Sequence, residues 1–354
     1  MYRELAHAVY RRGEHVSAGF DLPAWGWGVL FLDFLVFLPL ILVIGYTFNH
    51  VFPMLAIIED PSPPAYEPVS LNESVDASRD HMAPQADEAL GQSAATTSSF
   101  RATYRTVYAV GGWKSLFRGY QFYLPATIAT MMCYGLFGGM GIPSPVAAPI
   151  AAMAMAPLWT AWVHAVIATP SSKTFSQRLL PFNQIFRAVA APLVIYFGAL
   201  ELSNFIPVVL AGILGLTLLD DEPGNGTFRT PDHNDAWKGL IVLIVGLVLK
   251  VFITIPAHVV LVRVQASLLP EDDETIVPFD RTFQNKLEPA IIGGLGHVTI
   301  KDAWATFSRA SWIRLIKLYV KIFLAGFAAW LLWLVVVIPE MAIIIGVSGR
   351  NGEA

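Results

Sequence analysis

Long apolar stretches alternate with polar segments along this chain, and their lengths predict helices that cross a membrane. An α-helix needs about 20 predominantly apolar residues to span the hydrocarbon layer of a bilayer. The sequence offers six such stretches, at residues 25–58, 122–141, 146–169, 188–219, 239–269 and 313–345. The pattern therefore predicts an all-α, polytopic membrane protein with six transmembrane helices.

The polar segments divide the chain further. Residues 1–24 form a polar N-terminal segment, and residues 346–354 form a short C-terminal tail. Residues 59–99 are rich in proline, acids, serine and threonine, a composition that predicts a disordered linker or insertion. After the first helix at residues 25–58, residues 100–345 are expected to hold the rest of the bundle, a surface helix and five spans.

Composition supports a membrane protein and narrows the possible functions. The chain is 55% hydrophobic and 14% charged, whereas soluble domains are roughly 25% charged. Its net charge of -4 and its lack of a Lys/Arg-rich run argue against a nucleic-acid partner. A single cysteine, Cys133, excludes an internal disulfide and a cysteine-based metal site. The sequence contains no familiar catalytic motif, so we expect no enzyme, no cofactor and no metal centre.

One apolar stretch, residues 250–265, contains a proline, a histidine and two cations. Pro256 is expected to kink this helix because a proline removes one helical hydrogen bond. The stretch resembles the signature of the mitochondrial carrier family, in which a kinking proline precedes an acid, basic residues and a glutamine. Pro256, Arg263 and Gln265 match that pattern, and His258 stands where the family has its acid.

A second phrase, GWKSLFRG at residues 112–119, resembles the short surface helix that precedes an even-numbered span in the same family. Gly112 matches the glycine that opens this helix. Phe117, Arg118 and Gly119 match the aromatic, basic and glycine residues that close it. The resemblance implies a bundle of six kinked helices in three repeats, and membrane transport as the function. It also favours a mitochondrial membrane, the inner over the outer.

The resemblance further implies a proline and an acid in each odd-numbered span. Pro170, at the end of the third predicted span and followed by a polar continuation, is the counterpart expected for Pro256. In the first span Pro53 is the candidate. The three acid positions then hold no acid, since they are Leu55, Ser172 and His258. The ion pairs that close one side of a carrier are therefore expected to be missing.

Ionisable residues inside the spans are the candidates for solute binding, because each costs about 2.5–3.5 kcal/mol to insert at the centre of a membrane helix. Glu201 and Lys250 lie in mid-span and are expected to neutralise each other while lining a central cavity. Lys317 lies at the offset where the resemblance implies a basic residue that contacts substrate. The other candidates by depth are Asp33, His164, His258, Lys321 and Glu340.

Two functions remain open from the sequence. The first is transport of a small, anionic solute through a cavity lined by Lys317, Lys250 and Glu201. The second is a degenerate, non-transporting carrier that acts as a membrane adaptor or scaffold. The expected partners are the lipid bilayer and either a small-molecule solute or a protein. The distribution of Lys and Arg places the segments after spans one, three and five on the positive-inside face.

Overall fold

The computed structural model describes residues 24–60, 95–216, 235–288 and 293–352, with side chains up to residue 344. Within these ranges the chain is helical, apart from loops and an isolated antiparallel bridge between Ala168 and Thr275. Four helical stretches are long and apolar enough to cross a membrane: Ala24–Ile58, Phe182–Ile213, Asp235–Ser267 and Arg309–Ile344. A bent pair of helices makes a fifth if the two count as one span. The protein is thus an all-α integral membrane protein.

The first membrane helix is interrupted in its second half. It begins as α1 (Ala24–Leu42), continues as a π-helical segment (Val43–Val51) and ends as α2 (Phe52–Ile58). Pro53, the second residue of α2, has no backbone N–H to donate, and a local π-helix is a common way for a helix to absorb such an irregularity. Every residue of α2 is buried.

The next helices surround a short turn that is rich in glycine. Helix α3 (Phe100–Gly111) is capped by the hydroxyl of Ser99, which accepts a hydrogen bond from the amide of Ala102. A 3₁₀-helix (Gly112–Phe117) follows, and α4 (Tyr120–Gly139) begins directly after Gly119. The motif at residues 112–119, which was predicted to form a short surface helix, therefore consists of a 3₁₀-helix followed by Arg118 and Gly119.

The third span is a bent pair. Helix α5 (Ser144–Ala154) and helix α6 (Ala156–Ile167) meet at Met155 with an angle of 65°. Pro157 is the second residue of α6, so the bend coincides with a proline that cannot continue the hydrogen-bond ladder of α5. Both α5 and α6 pack against α4.

The remaining helices are long. Helix α7 (Phe182–Ile213) is continuous, whereas α8 (Asp235–Leu249) passes through a second π-helical segment (Lys250–Thr254) into α9 (Ile255–Ser267). A short α10 (Ile300–Ala305) precedes α11 (Arg309–Gly352). The second π-helical segment, like the first, ends two residues before a proline, here Pro256.

The chain divides into two compact units. The first comprises Met1–Ile44, Tyr196–Pro256 and Phe323–Ala354, and the second comprises Gly45–Ile195 and Ala257–Ile322. Within the first unit, the Thr254 hydroxyl donates to the Ser203 hydroxyl at 2.8 Å. Most buried side chains of the described residues belong to the second unit, which also holds α2, α4, α5 and α6.

Two features of the fold differ from the sequence-based expectations. Helix α4 has 20 residues, enough to cross a membrane, but its three tyrosines, its glutamine and its threonines leave it outside the apolar set, so six spans are not established. The disordered linker that was predicted at residues 59–99 includes residues at both of its ends that are folded in the structure. Glu59 is buried, and Thr96 and Thr97 bind its carboxylate, while residues 61–94 lie outside the described ranges.

Candidate functional site

Three short helices share one design, and they belong to the second unit except for Ile255 and Pro256 at the start of α9. Helices α2, α6 and α9 each follow an interruption of a longer helix, and each carries a proline as its second residue. These prolines are Pro53, Pro157 and Pro256. Where the three helices end, side chains from one helix reach the backbone of another. We define these contacts as the convergence site.

Arg263 of α9 joins two elements at the convergence site. Its guanidinium donates to the carbonyl of Ile57 in α2 at 3.3 Å and to the carbonyl of Ala303 in α10 at 2.9 Å. A third bond, of 2.8 Å, goes to the hydroxyl of Thr306. Only 7% of Arg263 is exposed. All three guanidinium nitrogens have partners, as a buried charge requires.

Helix α6 is joined to α9 by two further bonds. The Nε2 atom of His164 lies 2.8 Å from the backbone carbonyl oxygen of Gln265. Because a carbonyl can only accept, His164 must carry a proton on Nε2. The Gln265 amide in turn donates to the hydroxyl of Thr160 at 3.4 Å. All three residues are buried.

The end of α2 is held by a buried ion pair. Arg314 of α11 lies 3.3 Å from the Glu59 carboxylate and also donates to the Glu59 carbonyl at 2.9 Å. The amide of Thr97 donates to the same carboxylate at 3.0 Å, and the amide of Thr96 and the hydroxyls of both threonines bind it as well. Only 2% of Glu59 is exposed. This carboxylate is therefore fully paired, which a buried charge needs to be stable.

Two motif residues, Arg118 and Gly119, contact the end of α6. Arg118 donates to the carbonyls of Val166 at 3.3 Å and Ala168. Burial lowers the pKa of the Arg118 guanidinium to about 10, with the nearby charge of Arg178 acting in the same direction. At that pKa the side chain remains charged at neutral pH, so it can neutralise the partial negative charge at the C-terminal end of α6.

Gly119 is required by geometry. Its φ is +70°, and a Cβ at this position would lie 3.0 Å from the Trp162 ring and 3.2 Å from the Trp162 carbonyl oxygen. The backbone of the motif can approach α6 this closely only because the residue is glycine. Gly112 also has a positive φ, of +65°, but nothing lies near its missing side chain. Phe117 stacks on Tyr46 with 6.3 Å between the ring centroids.

An aromatic cluster adjoins the motif. The Trp162 indole N–H donates to the Tyr46 hydroxyl at 3.0 Å, and that hydroxyl donates to the carbonyl of Arg118. The His50 ring packs against Trp162 and Tyr123, with centroids 5.4 and 5.2 Å away. Neither Tyr46 nor Trp162 is among the residues that the sequence patterns single out. Aromatic residues are common in membrane helices, so neither residue carried a distinctive signal.

Lys317 lies away from the bonds of the convergence site, in a cavity of about 230 Å³ in the second unit. The cations Arg314, Lys317 and Lys321 line this cavity together with the start of α3 at residues 97–100. No carboxylate is among its lining residues, all of which are described. The cavity is therefore suited to a phosphate or carboxylate group.

Several predicted site residues are not brought together. Glu201 and Lys250 both belong to the first unit, but neither takes part in any of the ion pairs among the described residues, so the expected pair is not formed. The Lys250 side chain is exposed on its π-helical segment. Pro170 lies beyond the end of α6 and does not kink a helix, because Pro157 occupies the bend. His258 is partly buried on α9 and interacts electrostatically with His50.

Comparison of the chain with protein-family models, curated proteins and solved structures finds no match.

Proposed function

We propose that this protein is a divergent, carrier-like transporter that moves a small anionic solute across a membrane. The observation that carries the proposal is the repeated design of α2, α6 and α9. Three helix interruptions, each followed by a proline and roughly 100 residues from the next, are typical of a fold built from internal repeats. The ends of the three helices are bonded to one another at the convergence site. The mitochondrial location remains part of the same proposal.

The convergence site has the properties of a closed gate. Its bonds run from side chains of one helix to backbone oxygens of another, as Arg263 does to Ile57 and His164 does to Gln265. When the helix ends separate, water can enter and replace these hydrogen bonds, so that no charged group is left buried without a partner. The interruptions before Pro53, Pro157 and Pro256 supply places where each helix can bend. Opening is then a rocking motion of the three ends.

The basic cavity supports an anionic ligand. Arg314 is already paired with Glu59, but Lys317 and Lys321 have no carboxylate among the lining residues and attract a phosphate or a carboxylate, and the hydroxyls of residues 97–99 add hydrogen-bonding groups. A phosphate group at this place has two possible sources, a soluble solute or a phospholipid headgroup. The phosphate group would no longer bind, whichever its source, if Lys317 and Lys321 were both neutralised.

The second candidate function is a membrane adaptor that does not transport. One observation favours it. The gate contains no acid two residues after Pro53, Pro157 or Pro256, since those positions hold Leu55, Trp159 and His258. The acid–base pairs of a carrier gate are replaced here by bonds from Arg263 and His164 to backbone carbonyls. A site held in this way could also serve as a permanent structural core.

Uptake by proteoliposomes tests the transport proposal. Cys133 is first replaced by serine, and cysteines are introduced at Thr160 and Gln265, whose side chains now touch across the gate. A short bis-thiosulfonate reagent then joins the two thiols. We expect counter-exchange of at least one radiolabelled nucleotide, carboxylate or phosphate, its loss after cross-linking, and its return after reduction. The matched controls are the two single-cysteine proteins treated with the same reagent.

The outcomes separate the two functions. Equal uptake before and after cross-linking contradicts the gate. A folded protein that exchanges none of these anions points to the adaptor. The source of the bound anion is decided by thermal stability in detergent, because a ligand at about 100 times its dissociation constant adds about 2.7 kcal/mol to the native state. Stabilisation by phospholipid alone, lost in Lys317→Ala/Lys321→Ala but kept in Lys301→Ala, assigns the cavity to lipid.

A further inference from the structure

The connector that follows α9 is folded across the convergence site. Residues 270–288 of this connector are described, and we call them the strap. The strap is attached to the end of α6 by a short antiparallel bridge. The amide of Thr169 donates to the carbonyl of Glu274 at 2.8 Å, and the amide of Ile276 donates to the carbonyl of Ile167 at 3.0 Å. Ala168 and Thr275 form the bridge between these two bonds.

The strap is also attached to the end of α2 and to α9. The amide of Asp60 donates to the carbonyl of Pro278 at 2.9 Å. The Phe283 ring lies 4.9 Å from the guanidinium of Arg263. Val277, between the two backbone attachments, is 1% exposed, and Phe283 is also 1% exposed. One segment therefore touches all three helices of the convergence site.

The spacing of the attachments limits how far the helix ends can separate. Ile276 is bonded to α6 and Pro278 is bonded to α2, so only Val277 lies between the two anchors. An extended chain covers at most about 3.3–3.6 Å per residue, and two residues therefore reach about 7 Å. While both anchors hold, the ends of α2 and α6 cannot move apart by more than the few ångströms that this short link allows.

The strap has its own internal supports. Arg281 donates to the carbonyl of Pro270 at 2.9 Å, which closes the loop on itself. Asp280 accepts hydrogen bonds from the amides of Thr282 at 2.8 Å and Gln284 at 2.7 Å. Burial by itself raises the pKa of Asp280, but these hydrogen bonds and the charge of Arg263 outweigh it and lower the pKa below its ordinary value.

Two observations indicate that the strap can detach. Three successive non-glycine residues, Phe283, Gln284 and Asn285, have positive φ values of 50°, 58° and 62°, a conformation that is strained for such residues. The same part of the strap borders a cavity of about 540 Å³, which the end of α2 and the start of α11 also line. The strap is thus not tightly packed on this side, and detachment can begin there.

We propose that the strap is a releasable lock on the convergence site, and that the ends of α2 and α6 separate only after Glu274–Ile276 has detached from Ile167–Thr169. This inference rests on the proposed gate. An ion pair also contributes to the attachment, since Lys173, which follows α6, lies 2.9 Å from the buried Asp273 and 3.5 Å from the exposed Asp272.

A disulfide across the bridge tests the lock. Ala168 and Thr275 form a pair without hydrogen bonds between them, and such pairs have Cα atoms about 4.5 Å apart, within the range that a disulfide needs. Ala168→Cys and Thr275→Cys are introduced with Cys133→Ser. Thr160→Cys serves as the probe, because Thr160 is buried in the closed gate. The measurement is the rate at which a water-soluble maleimide labels the probe in proteoliposomes, without any solute.

We expect oxidation to slow labelling at least about tenfold, because labelling follows the population of the open state. Reduction should restore the rate, and the probe protein without the bridge cysteines should not respond to oxidation. Ile276→Pro, which removes one anchoring N–H, should speed labelling. If the oxidised and reduced proteins are labelled equally fast, the gate opens with the strap attached, so the lock is wrong while the gate stands. If the probe stays unlabelled in every protein, Ile276→Pro included, the gate and the lock both fail.

Discussion

Substitution of Gly119 by alanine gives a quantitative test of the contact between the Phe117–Gly119 motif and α6. The new methyl group would lie 3.0 Å from the Trp162 ring, 3.1 Å from the Val166 side chain and 3.2 Å from the Trp162 carbonyl oxygen. The backbone oxygen cannot move without disturbing α6. The residue would also keep a φ of +70°, which alanine tolerates poorly.

Two costs add at this position. A left-handed conformation costs a residue with a Cβ about 1–2 kcal/mol, and an extra methyl group in a packed site costs about 1–3 kcal/mol. Gly119→Ala is therefore expected to lower the free energy of unfolding by about 2–5 kcal/mol. Gly215 supplies the matched control, because its φ is +69° and nothing lies within 4 Å of its missing side chain. Gly215→Ala should incur only the first cost.

The assay is SDS-induced unfolding in mixed micelles, followed by tryptophan fluorescence and circular dichroism. The difference between the two variants isolates the contact with α6, and we expect about 1–3 kcal/mol. Equal destabilisation by Gly119→Ala and Gly215→Ala would show that the motif does not approach α6 closely. A small loss in both variants would contradict the positive φ values themselves.

Three further outcomes are expected. Arg263→Lys should lower the free energy of unfolding in the same assay by about 2–3 kcal/mol, because one ammonium group cannot reach all three acceptors of the guanidinium. The control is Arg309→Lys, at an exposed arginine, which should leave the free energy of unfolding unchanged. Glu340→Gln should raise the thermal stability, because its carboxyl meets that of Asp33 and an amide can donate to a carboxylate; a lower melting temperature would contradict this pairing. The pKa of Asp280 is lower in the folded protein than in the unfolded chain. The contribution of Asp280 to stability is therefore fully present above its ordinary pKa of 3.8, and it is lost as the pH falls through the pKa of the folded protein. The protection of the strap amides against hydrogen exchange, corrected for the intrinsic pH dependence of amide exchange, should thus fall in acid, and Asp280→Asn should remove that dependence.

Much of the architecture follows from local sequence patterns. Apolar stretches long enough to cross a bilayer identify the four membrane helices directly, because a helix in lipid must satisfy its own backbone and show apolar side chains outward. The position of Pro256 inside an apolar run likewise identified an interrupted helix, and the structure has a π-helical segment that ends two residues before it. Gly119, the closing glycine of the motif, is recognisable from its neighbours in the sequence, but its contact with α6 is visible only in the structure.

The second repeat shows where local patterns were insufficient. Pro170 ends the third apolar stretch and matches Pro256 through the polar residues that follow it, and this local pattern gives no sign of the role of Pro157. The structure has the bend at Met155, beside Pro157, and ends the helix before Pro170. A proline can either bend a helix or follow its end, and packing against α4 decides between these outcomes.

The sequence by itself determined four segments that are long and apolar enough to cross a membrane, since hydropathy depends on composition along the chain. Only the tertiary structure decided which charges meet. The composition of residues 59–99 predicts that Glu59 lies in a linker, yet Arg314 and two threonines bind it. The sequence also predicts that Glu201 and Lys250 pair, but neither takes part in an ion pair among the described residues. The strap could not be foreseen either, because its attachments are backbone hydrogen bonds between residues distant in sequence, and every residue except proline can donate such a bond.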